Sequence, residues 1–261
     1  PVMIHGQPGI GKSEAVDQTA QRACEALKLE GVRRYGDHTG DPKRMFGLHD
    51  LRLSQCEAVD VRGLPTLNNG VTAWAPADWF PHTGRDDLPD MGMVFLDEVN
   101  SAPQSVQAAA YQLVNDRRIG SHVMKPGWSI VLAGNRMTDG GVTFKMPTPL
   151  KNRMMHVYLE VSFDEWRQWA FKNDVDYSVI AYLGFRPDHL NTFEEFVKNR
   201  CQGDAFATPR SWKRLSSIVA TGCSANLLPA LASGLVGEGV AAEYLAYRKV
   251  LAAMPNPDAI L

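Results

Sequence analysis

The chain has 261 residues, of which 44% are hydrophobic and 21% charged, and it carries a formal net charge of −2 at pH 7. That length can bury a sizeable core as one large domain or two small ones. The near-neutral charge excludes the basic footprint by which proteins hold nucleic acid without regard to sequence. The four cysteines form no C-x-x-C pair and have no metal-like spacing to histidine. Cys24 falls on an apolar helical face and is expected in the core. With no signal peptide and no apolar run near the length of a membrane span, a reduced, cytoplasmic protein is expected. The chain opens directly on Val2-Met3-Ile4, an apolar strand-like run, so residues upstream of it are expected to be missing.

In chain order, Val2 to His5 reads as a short strand, followed by a Gly-rich turn and a helix. Val16, Ala20, Ala23 and Leu27 share one face of that helix, and Gly31 is read as ending it. Between Arg62 and Asp90 the chain turns rich in Gly, Pro, Asn and Asp, with Trp74 and Trp79 embedded. This reads as an insertion carrying a hairpin or long loop, in which either tryptophan packs the insertion or meets a partner. Met91 to Leu96 is a continuous apolar run, the mark of a strand covered on both faces. Ser101-Ala-Pro-Gln104 reads as a capping box with Pro103 in the first turn. The helix after it turns Val106, Ala110, Leu113 and Val114 inward. Gly120 to Gly127 suits a second hairpin leading into a buried strand from Ile130 to Ala133. From about Ser162 the pattern is helical to the end. Ser162 opens another capping box, and Thr208-Pro209 starts a helix that points Trp212, Leu215 and Val219 inward. The strand–helix alternation of the first part implies a parallel sheet with crossover helices.

The segment Gly6-Gln7-Pro8-Gly9-Ile10-Gly11-Lys12-Ser13 matches the phosphate-binding pattern G-x-x-x-x-G-K-[ST] in full. Its glycines let consecutive backbone N–H groups curl around phosphates, and the helix behind adds the positive end of its dipole. Lys12 would reach the β- and γ-phosphates of ATP, and the Ser13 hydroxyl would ligate Mg²⁺. Asp97 and Glu98 end the Met91–Leu96 run. The first carboxylate at a strand end beside the loop can hold Mg²⁺, and the second can take the proton of an attacking water. Asn135 ends the next buried run, where a neutral amide can orient that water or touch the γ-phosphate. The seven histidines show no H-E-x-x-H, which gives zinc chemistry no support.

The succession of the phosphate-binding loop, Leu96-Asp97-Glu98-Val99-Asn100, Ala133-Gly134-Asn135, Leu150-Lys151-Asn152-Arg153 and Thr208-Pro209-Arg210 resembles the MoxR branch of AAA+ ATPases across essentially the whole chain. The Ser-Ala-Pro-x-x-Val-Gln run after the acidic pair and Asp60-Val-Arg-Gly-Leu-Pro65 strengthen the resemblance. It implies that Asn135 is the sensor 1 residue, that Arg210 is sensor 2 in a lid helix, and that Arg153 is an arginine finger reaching into a neighbour's ATP. Arg136 competes for the last role. The resemblance also implies hairpins at 62–90 and 120–127, a homo-oligomeric and hexameric ring, and chaperone-like work on a protein client beside a von Willebrand A-domain partner. Residues before the first strand usually help enclose adenine in such proteins, so the base contacts stay unassigned.

The expected architecture is therefore an α/β P-loop NTPase core of AAA+ type with a parallel sheet over 1–160, followed by an all-α lid over 161–261. The expected activity is Mg²⁺-dependent ATP hydrolysis driving a protein remodeller. The rival readings are an AAA+ nucleic-acid loader or translocase, with Lys43-Arg44 or Arg117-Arg118 facing a pore, and a P-loop small-molecule kinase.

Overall fold

The computed structural model describes residues 1–136, 139, 144, 146–199 and 203–254. Cys201 and positions 255–261 of the expected helical region lie outside them. The chain divides into two compact units. One comprises Pro1–Gly6 and Lys12–Leu159, the other Gln7–Gly11 and Glu160–Leu261.

In the first unit, the strands β1 (Val2–His5), β2 (Gly31–Arg34), β3 (Met45–Arg52), β6 (Met91–Asp97), β9 (Gly127–Gly134) and β10 (Met155–Tyr158) form one sheet in the order β10-β1-β9-β6-β3-β2. Every pairing in it is parallel. The two central strands are covered on both faces. Val94, Leu96, Ile130 and Leu132 pack with Val106, Ala110 and Leu113 of helix α3 (Gln104–Asp116). Their alternates Phe95 and Ala133 pack with Val16, Ala20 and Cys24 of helix α1 (Lys12–Ala26). Because successive strand residues point to opposite faces, α1 and α3 lie on opposite sides of the sheet. All β strands of this sheet run the same way, so their C-terminal ends line one edge, where open α/β sheets bind ligands.

Several local expectations change. Helix α1 ends at Ala26, and Lys28 adopts a left-handed φ of 57°. Leu27 is therefore exposed, Leu29 packs toward the core instead, and Gly31 opens β2 rather than ending the helix. Ser101 caps no helix. Val99–Ser101 is a turn of 3₁₀ helix, and α3 starts after Pro103, which occupies the N-cap position without a side-chain bond. A proline disfavours helical geometry in the residue before it, and Ala102 is accordingly extended at φ −73°, ψ 147°. The edge strand β2 and strand β3 had no counterpart in the sequence reading.

The 62–90 segment holds a two-stranded ribbon of β4 (Leu64–Asn68) and β5 (Val71–Ala75), entered from helix α2 (Ala58–Arg62). Its tip, Asn69-Gly70, has positive φ at both residues (49° and 77°), which matches the twist of a tight hairpin. A second, shorter ribbon joins β7 (Arg118–Ile119) to β8 (His122–Val123). His122 Nε2–H donates to the Trp74 carbonyl at 2.9 Å and ties the two ribbons together.

The two tryptophans of the segment part company. Trp79 is 4% exposed and its indole N–H donates to the Asp60 carbonyl at 2.8 Å. Its own carbonyl accepts from His49 Nδ1 at 2.5 Å, and burial lowers the His49 pKa to about 4, which keeps that imidazole neutral. Trp74 is 40% exposed. Trp79→Ala is accordingly expected to cost about 3–5 kcal/mol of stability, as large aromatic deletions in cores do. Trp74→Ala should cost well under half of that. Equal melting-temperature losses for the two variants would contradict this assignment.

A short helix α4 (Thr148–Lys151) precedes β10 in the first unit, and the second unit is helical. It contains α5 (Phe163–Lys172), α6 (Tyr177–Phe185), α7 (Phe193–Lys198), α8 (Pro209–Ala220), α9 (Leu228–Val236) and α10 (Glu238–Ala253). Tyr182, Trp212, Leu215, Ala232 and Tyr244 centre its core. The Thr208 side chain accepts from Ser211 N while Ser211 reaches back to the Thr208 N–H, with Pro209 in the first turn. Ser162 caps α5 by accepting from Glu165 N at 3.4 Å. Among the described residues no helix is long and apolar enough to cross a membrane.

A candidate nucleotide site at the strand ends

The first unit brings three strand ends to one place. β1 ends at His5, and Gly6 N–H donates to the Gly134 carbonyl at 3.4 Å, so the loop leaves the sheet tethered to the end of β9. Helix α1 then begins at Lys12, with its N-terminus and dipole at the end of the phosphate-binding loop. The Lys12 ammonium donates to the Gly6 carbonyl at 2.8 Å and to Asn135 Oδ1 at 2.9 Å. Asn135 follows β9, the strand that lies between β1 and β6.

The residue after Lys12, Ser13, donates its hydroxyl to Asp97 Oδ2 at 3.1 Å. Two hard oxygen donors this close suit Mg²⁺, which takes one or two protein oxygens and fills its shell with water and phosphate. Among the described residues no group of three or more His, Cys, Asp or Glu is placed to hold a metal by itself. A Mg²⁺ shared with phosphates is thus the arrangement these residues fit. Asp97 Oδ1 also accepts from the Glu98 N–H at 2.8 Å, which fixes the carboxylate's orientation.

Glu98 sits in the left-handed region at φ 56°, ψ 34°. A residue with a Cβ pays about 1–2 kcal/mol there, and such outliers cluster at functional sites. The twist turns the chain out of β6 and swings the Glu98 side chain toward β3, where the Ser54 hydroxyl donates to Glu98 Oε2. Ser54 lies two residues beyond β3 in the turn Leu53–Gln55, and the register that pairs Arg52 with Asp97 brings that turn beside Glu98. The sequence reading missed Ser54. Its signal is a strand register, and β3 had not been recognised.

Gln7–Gly11, the apex of the loop, belongs to the second unit. Gln7 is buried; its Nε2 donates to Glu194 Oε1 at 3.0 Å, and its Oε1 accepts from Asn191 Nδ2 at 2.5 Å. Arg210 N–H donates to the Gly9 carbonyl at 3.1 Å from the first turn of α8. Gly9 has φ +77°, and a Cβ on it would lie 2.8 Å from the Thr208 hydroxyl, so only glycine fits. Pro8 and Ile10 complete the turn, and Gly11 follows at φ +100°. The Arg210 side chain is exposed.

The two candidate fingers are engaged elsewhere. The Arg153 guanidinium donates to the Tyr111 hydroxyl and lies over that ring, 5.7 Å from its centroid. Among the described residues no hydrogen bond joins Arg153 to the phosphate-binding loop. Arg136 binds Asp139 through its backbone N–H at 2.8 Å and through Nε at 3.0 Å.

A phosphate-binding loop with its lysine, a serine bonded to an aspartate, an adjacent glutamate and a neighbouring amide are the residue types a P-loop ATPase employs. The order β10-β1-β9-β6-β3, with the Asn135 strand set between the loop strand and the acidic strand, makes this a parallel α/β core with its site at the strand ends. No protein-family model and no curated protein sequence matches the chain. Among solved structures, it is similar to the Holliday junction branch migration motor RuvB of Thermotoga maritima, with 15% identity and a TM-score of 0.43. That match covers 96% of this chain and 61% of that one. A variant of the same protein gives 16% identity and a TM-score of 0.45, covering 96% and 62%. The chain thus spans less than two thirds of the structures it resembles.

Proposed function

We propose that this chain is one protomer of a Mg²⁺-dependent ATPase ring of the MoxR type that remodels a protein partner. The observation carrying the reading is the meeting of Lys12, Asn135, Ser13 and Asp97 at the ends of three adjacent parallel strands, with Glu98 beside them.

Lys12 and the backbone N–H groups of Gly6–Ser13 would hold the phosphates and draw charge from the γ-phosphoryl group as its bond to ADP breaks. Ser13 and Asp97 would hold Mg²⁺, which when bound neutralises charge on the β- and γ-phosphates. Glu98 would accept a proton from the attacking water, whose oxygen bonds to phosphorus while ADP leaves, giving ADP and inorganic phosphate. Asn135 would orient that water or the γ-phosphate without adding charge. Arg210 is the residue to which the resemblance assigns the sensor 2 role, and Arg153 would act on the ATP of a neighbouring copy. The double attachment of Arg136 to Asp139 favours a structural role for that residue. A ring built by such head-to-tail contacts closes, and six copies is what the family resemblance implies. The exposed ribbon β4–β5 is the surface we assign to the protein client, and a von Willebrand A-domain partner rests on the resemblance alone.

The test is made on the unaltered protein. ATP should be converted to ADP and free phosphate in the presence of Mg²⁺, EDTA should abolish turnover, and double-stranded or single-stranded DNA should not accelerate it. Phosphate recovered on a small acceptor would replace the reading with a kinase. Salt-sensitive stimulation by DNA would replace the protein client with nucleic acid.

A further inference from the structure

One side chain behind the site is committed to an unusual place. Asn100 lies two residues after Glu98, in the 3₁₀ turn Val99–Ser101, and is only 6% exposed. Its side-chain Nδ2–H donates to the backbone carbonyl of Asn135, and its backbone carbonyl accepts from Phe144 N–H at 2.6 Å. Ser101 N–H closes the turn onto the Glu98 carbonyl at 2.9 Å. The Asn100 Oδ1 atom is buried and has no hydrogen-bond partner among the described residues. It points at Gly134, where a Cβ would lie 2.2 Å from it. Burying a polar side chain of this kind is unfavourable unless its bonds serve a purpose, so a packing role alone would be better served by an apolar side chain.

We infer that Asn100 is a positioning residue that joins the Glu98 turn to the end of β9 and so fixes the Asn135 amide. The inference rests on the ATPase reading above and goes beyond it. The link runs from the Glu98 carbonyl through one turn to the Asn100 side chain and across to the Asn135 backbone. A shift of the general base is thereby transmitted to the amide that faces Lys12. Gly134 is glycine because this side chain occupies the space its Cβ would need.

The experiment is a double-mutant cycle on steady-state ATP hydrolysis, with nucleotide affinity measured separately using Mg²⁺–ADP. Asn135→Ala should lower kcat by about 100-fold, the scale of a misplaced catalytic group. Asn100→Ala should lower kcat at least about tenfold with KM changed less than about twofold. The double variant should be no slower than Asn135→Ala alone, because Asn100 acts only through that amide. Gly134→Ala gives an independent route. It displaces the Asn100 side chain while leaving both amides in the sequence, and it should reproduce the loss of kcat at unchanged Mg²⁺–ADP affinity. If Asn100→Ala does not fold, the Gly134→Ala result decides. Losses that simply multiply in the double variant, or wild-type kcat in Gly134→Ala, would overturn the inference and leave the site assignment intact. Wild-type kcat in Asn135→Ala would overturn the site assignment and the inference with it.

Discussion

Glu98→Gln is expected to lower ATP turnover by about 10²–10⁴-fold, the usual contribution of a positioned general base. That corresponds to about 3–5 kcal/mol of barrier. Binding of Mg²⁺–ATP should change by less than about twofold. The substitution removes proton acceptance but keeps the shape, and its amide oxygen can still accept from Ser54. The left-handed backbone at this position is already adopted by a residue with a Cβ, so no new strain is added. Lys12→Ala is the contrasting case. Its ammonium touches Gly6 and Asn135 at the mouth of the loop, so its loss should show as failure to bind nucleotide rather than as slow chemistry. Fluorescent-nucleotide binding and phosphate release, measured on both variants, separate the two outcomes. Normal turnover by the glutamine variant would remove Glu98 from its role.

Arg153→Ala is expected to cost about 10³–10⁵-fold in turnover while leaving each protomer's own nucleotide affinity unchanged, the effect typical of an arginine finger supplied by a neighbour. Within its own chain Arg153 is held by Tyr111, not by the loop that would bind ATP. It is also exposed, as a residue serving another copy must be. Titrating the variant into unaltered protein should therefore depress activity below the dilution line, since each inserted copy disables the site next to it. A strictly linear decline, with specific activity independent of protein concentration, would mean that every protomer hydrolyses alone.

What could be seen in the sequence was what is encoded over short stretches. The P-loop is one uninterrupted octapeptide. β6 and β9 announce themselves as apolar runs because parallel central strands are buried on both faces. Thr208-Pro209 marks its helix start with side chains that bond within the same turn. What escaped depends on register between segments far apart. β3 carries His49, Asp50 and Arg52 among its apolar residues, and it reads as a strand only once Trp79 and β6 are seen to cover it. Ser54 and Glu98 are 44 positions apart and meet only through that pairing. Asn100 looked like part of the acidic motif, and nothing local shows that it reaches Asn135. The capping box at Ser101 failed for a local reason that was legible but outweighed in the reading: Pro103 forces Ala102 out of helical geometry.

The ribbon β4–β5 has a further consequence. All ten of its strand residues are exposed, Leu67 to 81% and Val71 to 68%, and among the described residues it pairs with no third strand. Two strands without a covered face are marginal in water. Its amides therefore belong to the low end of the molecule's range of opening free energies, while those of β6 and β9 open only with the whole sheet. Amide exchange in the ribbon is therefore expected to be faster than in β6 and β9. A surface that melts by itself can take the shape of what it meets, and the order it acquires there subtracts from the strength of the contact. The partner contact proposed for this ribbon would accordingly be adaptable and readily released.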